Sequence, residues 1–226
     1  MYKAVVFDLD GTLLNTLDDL MDSVNFALDR QGLSLRTYEE IRRFVGNGIR
    51  NLIFRSLPDD IRDEEKRNEL TDVVLSDFEH HYRDHCADKT APYPGVCGLM
   101  KELRAAGVRI GVLSNKIDSA VQELMHVYFE GLVDEALGER RGVPKKPAPD
   151  STLEIIGRLG AVPEDVLYVG DSEVDIATAK NAGVDAIFVD WGFRDRDVLI
   201  KAGAPVVVSE TEELKRAVLH KCGCRV

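Results

Sequence analysis

The chain has 226 residues, 44% of them hydrophobic and 31% charged, the balance of an ordinary globular core or a core plus a smaller module. Its formal net charge is −11, from 29 basic and 40 acidic residues, and so acidic a surface excludes nucleic acid and anionic membranes as partners. No apolar run approaches the roughly 20 residues of a membrane span. Four scattered cysteines (Cys86, Cys97, Cys222 and Cys224) make no disulfide framework. The chain enters an apolar run at once, with no basic, apolar, small-residue leader, and a reducing, cytoplasmic setting is expected.

The first predicted strand is Ala4–Leu9, and it runs into Asp8-Leu9-Asp10-Gly11-Thr12. If the strand persists, the Asp8 and Asp10 side chains leave the same face. Gly11 then permits a sharp change of direction. Two carboxylates held together at a strand tip are costly unless a cation lies between them or one keeps a proton. A solvated Asp-x-Asp-Gly turn is the plain alternative. A calcium loop fits poorly, because Leu13, Leu14 and Leu17 follow where further oxygen ligands are needed.

From Thr16 to Lys89 no strand pattern occurs. Leu20, Val24, Ala27, Leu28 and Gln31 follow helical spacing, and Tyr38–Val45, Ile49–Leu57 and Glu64–Cys86 are predicted helices. The expectation is a four-helix bundle over residues 16–89, inserted into a core formed by residues 1–15 and 90–226. Both junctions flank the Asp8 strand tip, so the bundle is expected to close over it as a lid.

Strands and helices then alternate. Predicted strands are Arg109–Ser114, Leu132–Leu137, Asp165–Val169, Asp185–Val189 and Pro205–Val208. Predicted helices are Gly95–Ala106, Ser119–Phe129, Ser151–Gly160, Val174–Ala182 and Thr211–Leu219. The class is α/β, a doubly wound, mostly parallel sheet with an inserted helical cap. In such a sheet the strand ends carrying Asp8, Ser114-Asn115 and Gly170-Asp171 gather on one edge.

Four segments combine there: Asp8-x-Asp10-Gly11-Thr12; Val112-Leu113-Ser114-Asn115; Lys145-Lys146-Pro147-x-Pro149, predicted to be an extended loop; and Val169-Gly170-Asp171-Ser172-x-x-Asp175. Phosphoryl transfer needs such parts: an attacking carboxylate, a second one to move protons, a divalent cation, and a hydroxyl and an ammonium to hold the phosphoryl oxygens.

The ordered set resembles the four motifs of the haloacid dehalogenase superfamily of phosphatases, over essentially the whole chain. The insertion between the first two motifs resembles the subgroup with a helical cap, and the implied core is that family's Rossmann-like sheet. The resemblance implies an aspartyl-phosphate on Asp8, with Asp10 as general acid and base. Dehalogenases of the family lack the second aspartate. It further implies that Ser114, Asn115 and Lys146 hold the phosphoryl group. Mg²⁺ would be held by the Asp8 carboxylate, the Asp10 carbonyl, Asp171 and, directly or through water, Asp175. Lys146 is preferred to Lys145 because the family's lysine directly precedes the proline. Phe44-Val45-Gly46-Asn47-Gly48-Ile49-Arg50 is similar to the cap loop of phosphoglycolate phosphatase-like members, which makes Arg50 or Asn47 a candidate substrate ligand. Asp190-Trp191-Gly192-Phe193-Arg194 resembles that subgroup's late loop.

The implied reaction is hydrolysis of a small soluble phosphomonoester, with 2-phosphoglycolate first. Pyrophosphate, a sugar phosphate or a phosphoglucomutase-like transfer are the alternatives within the family, and the expected state is a monomer or homodimer. A phospho-acceptor regulatory domain uses similar groups, but the large insertion and Asp10 argue against it. His80, His81, His85 and Cys86 are expected on a solvated helix face. His220, Cys222 and Cys224 are expected in a frayed tail.

Overall fold

A computed structural model describes residues 2–223. The chain divides into two compact units, residues 1–15 with 92–226 and residues 16–91.

The first unit is built on a six-stranded, wholly parallel sheet. In chain order its strands are Ala4–Phe7 (β1), Arg109–Ile117 (β4), Glu135–Glu139 (β5), Val166–Gly170 (β6), Asp185–Val189 (β7) and Val207–Val208 (β8). Two short strands, Leu14–Asn15 (β2) and Ala91–Pro92 (β3), pair separately. The spatial order is β5-β4-β1-β6-β7-β8. The chain therefore builds outward from β1 to one side, then returns to build outward on the other. That reversal opens a crevice beyond the carboxyl ends of β1, β4 and β6. Register aligns those ends: Phe7 faces Val112 on one neighbour and Val169 on the other.

Alternation along the strands sorts the core. Ala4 and Val6 of β1, with Val166 and Tyr168 of β6, join one buried cluster that includes Ile155, Ile156 and Leu159. The last three come from the helix Asp150–Arg158 and its C-cap. Gly111 allows that helix its close approach, since a Cβ there would lie 3.0 Å from both Ile155 Cδ1 and Leu159 Cδ1.

The second unit contains four helices, Leu17–Arg30 (α1), Tyr38–Phe44 (α2), Ile49–Ser56 (α3) and Glu64–His85 (α4). Buried residues recur at helical spacing: Leu17, Leu20, Val24 and Leu28 on α1, and Thr71, Val74, Phe78 and Tyr82 on α4. The start of α2 is fixed by a capping box between Thr37 and Glu40. Asp19 on α1 is buried and ties down the returning chain. Its carboxylate accepts from the backbone amides of Lys89 (2.9 Å) and Thr90 (2.8 Å) and from the Thr90 hydroxyl (2.7 Å).

Helices of the first unit are Val96–Ala105 (α5), Asp118–Phe129 (α6), Asp150–Arg158 (α7), Glu173–Ala182 (α8), Arg196–Lys201 (α9) and Thr211–Lys221 (α10). The sequence reading has no counterpart for α9, whose six residues are too few to show a period. It also places β5 three residues early. Gly131, at φ +72°, and Leu132 close a turn after α6, and the strand starts only at Glu135.

Two surface expectations change. Cys86 is buried beside Tyr82, and His81 is half-buried, bonded to Ser23 (3.0 Å) and stacked on Phe26 and His85. The helix face is therefore partly packed, because α1 covers it. Cys222 is buried at the end of α10 and not frayed; Cys224 lies outside the described residues.

Candidate active site

The strand β1 stops at Phe7 and does not carry Asp8 and Asp10 out on one face as expected. Beyond it the Leu9 carbonyl accepts from the amides of Thr12, Leu13 and Leu14, a tight turn. Gly11 has φ +89°, and a Cβ there would lie 2.3 Å from Asp171 Oδ2. A glycine is thus required twice over, by conformation and by space. The turn sends the two carboxylates to different partners.

Asp8, 6% exposed, meets Lys146, whose Nζ lies 2.6 Å from Asp8 Oδ1 and 2.8 Å from Asp175 Oδ1. Lys146 is 4% exposed, and it also donates to the Leu113 carbonyl at 3.2 Å. Its loop is not extended as expected: the Ala148 amide donates to the Lys145 carbonyl at 3.0 Å and closes a turn. Lys146 still points inward because two carboxylates are there to receive it. Lys145 faces Glu139 at 3.5 Å, with a third of its side chain exposed.

Asp175 has two jobs. It is the third residue of α8 and closes a capping box with Ser172. Its Oδ2 accepts from the Ser172 hydroxyl (2.5 Å) and amide (3.1 Å), while Oδ1 accepts from Tyr168 OH (2.8 Å) and Lys146. Tyr168 OH also lies 3.1 Å from Lys146 Nζ.

Asp171, 1% exposed, follows Gly170 at the tip of β6. The Phe193 amide donates to its Oδ2 at 2.7 Å. Gly192 lets the late loop approach: a Cβ there would lie 2.3 Å from both Asp171 Oδ2 and the Gly11 carbonyl. Trp191 Nε1 donates to the Thr12 carbonyl at 3.2 Å. The Asp190–Arg194 loop therefore borders the site, and Trp191 packs as part of that border.

Carboxylate oxygens of Asp8, Asp171 and Asp175 all lie within 4.8 Å of one another, the one such metal-ligating trio among the described residues. Three buried carboxylates against one ammonium leave excess negative charge. Burial first, then repulsion from Asp175 and Asp171, pushes the Asp8 carboxyl well above its usual range despite Lys146. Burial and Asp175 push Asp171 up to about 7. Burial opposes ionisation of Asp175 as well, but Lys146 and the hydrogen bonds from Ser172 and Tyr168 outweigh it and hold that group low. Burial likewise works against the Lys146 charge, and Asp175 and Asp8 overcome it. An all-oxygen, over-acidic pocket suits a hard divalent cation.

Asp10 belongs to the other side of the crevice. Its Oδ2 accepts from Ser114 Oγ at 3.1 Å, and its Oδ1 pairs with Lys116 Nζ at 2.8 Å. The pairing of β4 with β5 slips between Leu113 and Ile117. Such a bulge re-aims side chains next to functional sites, here Ser114, Asn115 and Lys116. Asn115 Nδ2 donates to the Lys146 carbonyl at 3.0 Å, so this amide holds the lysine loop. Arg50 is a residue of the helical unit, where its guanidinium pairs with Asp72 at 2.9 Å.

Sequence reading passed over Lys116 and Tyr168. The first stands directly after Ser114-Asn115 and could have been noted as a cation beside the hydroxyl. The second is a phenol inside an apolar strand two residues before Gly170. A buried phenol needs a partner, and that need was the available signal.

The doubly wound sheet carries a buried carboxylate–lysine cluster at its switch point, and such groups are the parts that phosphoryl transfer uses. Comparison with known proteins agrees. The family described as haloacid dehalogenase-like hydrolase matches residues 5–189. A phosphoglycolate phosphatase from Chromobacterium violaceum is 35% identical over 215 residues, covering 94% of each chain. One from Mesorhizobium japonicum is 35% identical over 199 residues, covering 86% of this chain and 85% of its own. Among solved structures, a Lactobacillus delbrueckii subsp. bulgaricus protein assigned as a phosphoglycolate phosphatase is 39% identical, with a TM-score of 0.89 over 96% of this chain and 98% of that one. The chain belongs to the haloacid dehalogenase-like hydrolase family, and it is a phosphatase.

Proposed function

We propose that this protein is a Mg²⁺-dependent phosphomonoesterase that hydrolyses 2-phosphoglycolate through a phosphoryl group carried on Asp8. The observation that carries the reading is the buried convergence of Asp8, Lys146, Asp171 and Asp175. The substrate rests on the names of the relatives.

Asp8 attacks phosphorus. The Asp8 O–P bond forms as the bond to the leaving oxygen breaks, and Asp10 gives that oxygen a proton. Asp10, now ionised, takes a proton from water as the water oxygen attacks the aspartyl-phosphate, which releases phosphate and regenerates Asp8. Lys146 and Ser114 hold the phosphoryl oxygens on which charge accumulates. Asp8, Asp171 and the Asp10 carbonyl, with Asp175 beside them, would hold the cation. When bound, Mg²⁺ supplies the positive charge that offsets the excess carboxylates and polarises the phosphoryl group. Arg50, on the helical unit, is the proposed cation for the substrate's second anionic group.

The test is phosphate release across a panel of phosphorylated metabolites, with Mg²⁺ and with EDTA, for the wild type and Asp8→Asn. The expected result is the highest kcat/KM for 2-phosphoglycolate, no turnover in EDTA, and none from a folded Asp8→Asn protein. Turnover by Asp8→Asn would remove the nucleophile; stoichiometric labelling without turnover would make the chain a phospho-acceptor.

A further inference from the structure

We infer that Lys116 is a positioning residue for Asp10, one that keeps its hold on this side chain when phosphate occupies the site. The inference rests on the reading of Asp10 as the proton donor to the leaving oxygen.

Both oxygens of Asp10 are engaged, Oδ2 by Ser114 and Oδ1 by Lys116. The two anchors differ in what they can do during the reaction. Ser114 has one hydroxyl hydrogen. In the structure it goes to Asp10, at 3.1 Å, while the same oxygen accepts the Lys116 amide at 3.1 Å. A phosphoryl oxygen held by Ser114 must take that one hydrogen, and Asp10 then loses its Ser114 contact. Lys116 has no such conflict. Its side chain is 6% exposed, its Nζ lies 2.8 Å from Oδ1, and the β4 bulge fixes its backbone beside Ser114. Substrate binding thus takes the Ser114 contact away from Asp10 and leaves the Lys116 contact in place. A bond from the ammonium to Oδ1 suits that role, because Oδ1 can accept it whether Oδ2 is ionised or carries the proton, and a charge-assisted bond is about twice as strong as a neutral one.

In kcat/KM, which ends at formation of the aspartyl-phosphate and leaves out its hydrolysis, the consequence depends on the leaving group. A proton donor matters most when the departing oxygen is a poor leaving group, and matters little when it departs as a stabilised nitrophenolate. Displacement of a catalytic group by about 1 Å can cost about 100-fold in rate. The experiment compares kcat/KM for 2-phosphoglycolate, an alkyl monoester, and p-nitrophenyl phosphate, in the wild type, Lys116→Met and Lys116→Arg. For Lys116→Met we expect a loss of about 100-fold on the alkyl ester, carried by kcat with KM held, and a loss at least tenfold smaller on the aryl ester. Lys116→Arg, which keeps the charge, should recover most of the difference. Equal losses on both substrates, a change confined to KM, or no change overturns the inference. If Lys116→Met does not fold, Lys116→Gln takes its place. Asp8→Asn run beside these separates the two readings. A dead Asp8→Asn protein with no leaving-group selectivity in the Lys116 variants sinks only the role of Lys116, whereas an active Asp8→Asn protein sinks the assignment of the site.

Discussion

Replacing Asp171 by Asn should make the metal-free protein more stable at alkaline pH while removing its catalysis. Asp171 is 1% exposed, and its carboxyl is pushed up to about 7 from an ordinary 3.8, by burial first and Asp175 second. A carboxyl whose folded-state value is raised binds protons more tightly folded than unfolded. Its contribution to stability is fully present below about pH 4 and is lost as pH rises through about 7. A rise of that size corresponds to about 4 kcal/mol in all, of which about 2 to 3 kcal/mol is lost between pH 5 and pH 8. Asn removes this loss and keeps the fold, because its amide oxygen can still accept from the Phe193 amide, now 2.7 Å from Oδ2.

The single tryptophan makes the assay local. Trp191 belongs to the loop bordering Asp171, so its fluorescence follows unfolding of the unit that holds the site. For a chain of this length 1 kcal/mol moves the midpoint by about 2–4 °C. In EDTA, the wild-type Tm should fall between pH 5 and pH 8 by about 5–10 °C more than that of Asp171→Asn. Saturating Mg²⁺ should restore most of the wild-type loss at pH 8 and far less for the variant, because the cation removes the same excess charge that the substitution removes. Parallel pH trends for the two proteins in EDTA would refute the electrostatic reasoning. So would an equal gain from Mg²⁺ in both.

Two further substitutions test the supports around the cluster. Tyr168→Phe deletes a hydroxyl 2.8 Å from Asp175 and 3.1 Å from Lys146; steady-state kinetics should show kcat lower by about tenfold with KM little changed, and denaturant unfolding a loss of about 1 kcal/mol. Asp19→Ala removes the acceptor for the Lys89 and Thr90 amides and the Thr90 hydroxyl; leaving such donors unmatched should cost about 2–4 kcal/mol. Far-UV circular dichroism and faster hydrogen exchange at residues 89–90 would register it.

The sheet and most helices were legible in the sequence because each is written in short-range terms. Asp185–Val189 is a short apolar run after its first residue, and Glu64–His85 carries Thr71, Val74, Phe78 and Tyr82 at helical spacing. The segments that build the site were legible too, because their polar residues stand where apolar strands end. Their pairing was less so. Asp8 and Asp10 are two residues apart, yet the Gly11 turn sends one to Lys146 and the other to Ser114 and Lys116. Periodicity gives the face of a strand only while the strand lasts, and β1 ends before either aspartate. The β4 bulge has the same effect, since a slip in register leaves no mark on hydrophobic alternation in a strand buried on both faces. Tyr168 shows the limit most sharply. Its neighbours in sequence are leucine and valine, and its partners, Lys146 and Asp175, come from a loop and a helix that the tip of β6 brings to its hydroxyl. The chemistry of each residue type was therefore readable locally. Which carboxyl is pushed up, which lysine is buried and which hydroxyl meets which carboxylate are properties of the crevice, and they depend on where β1, β4 and β6 end relative to one another.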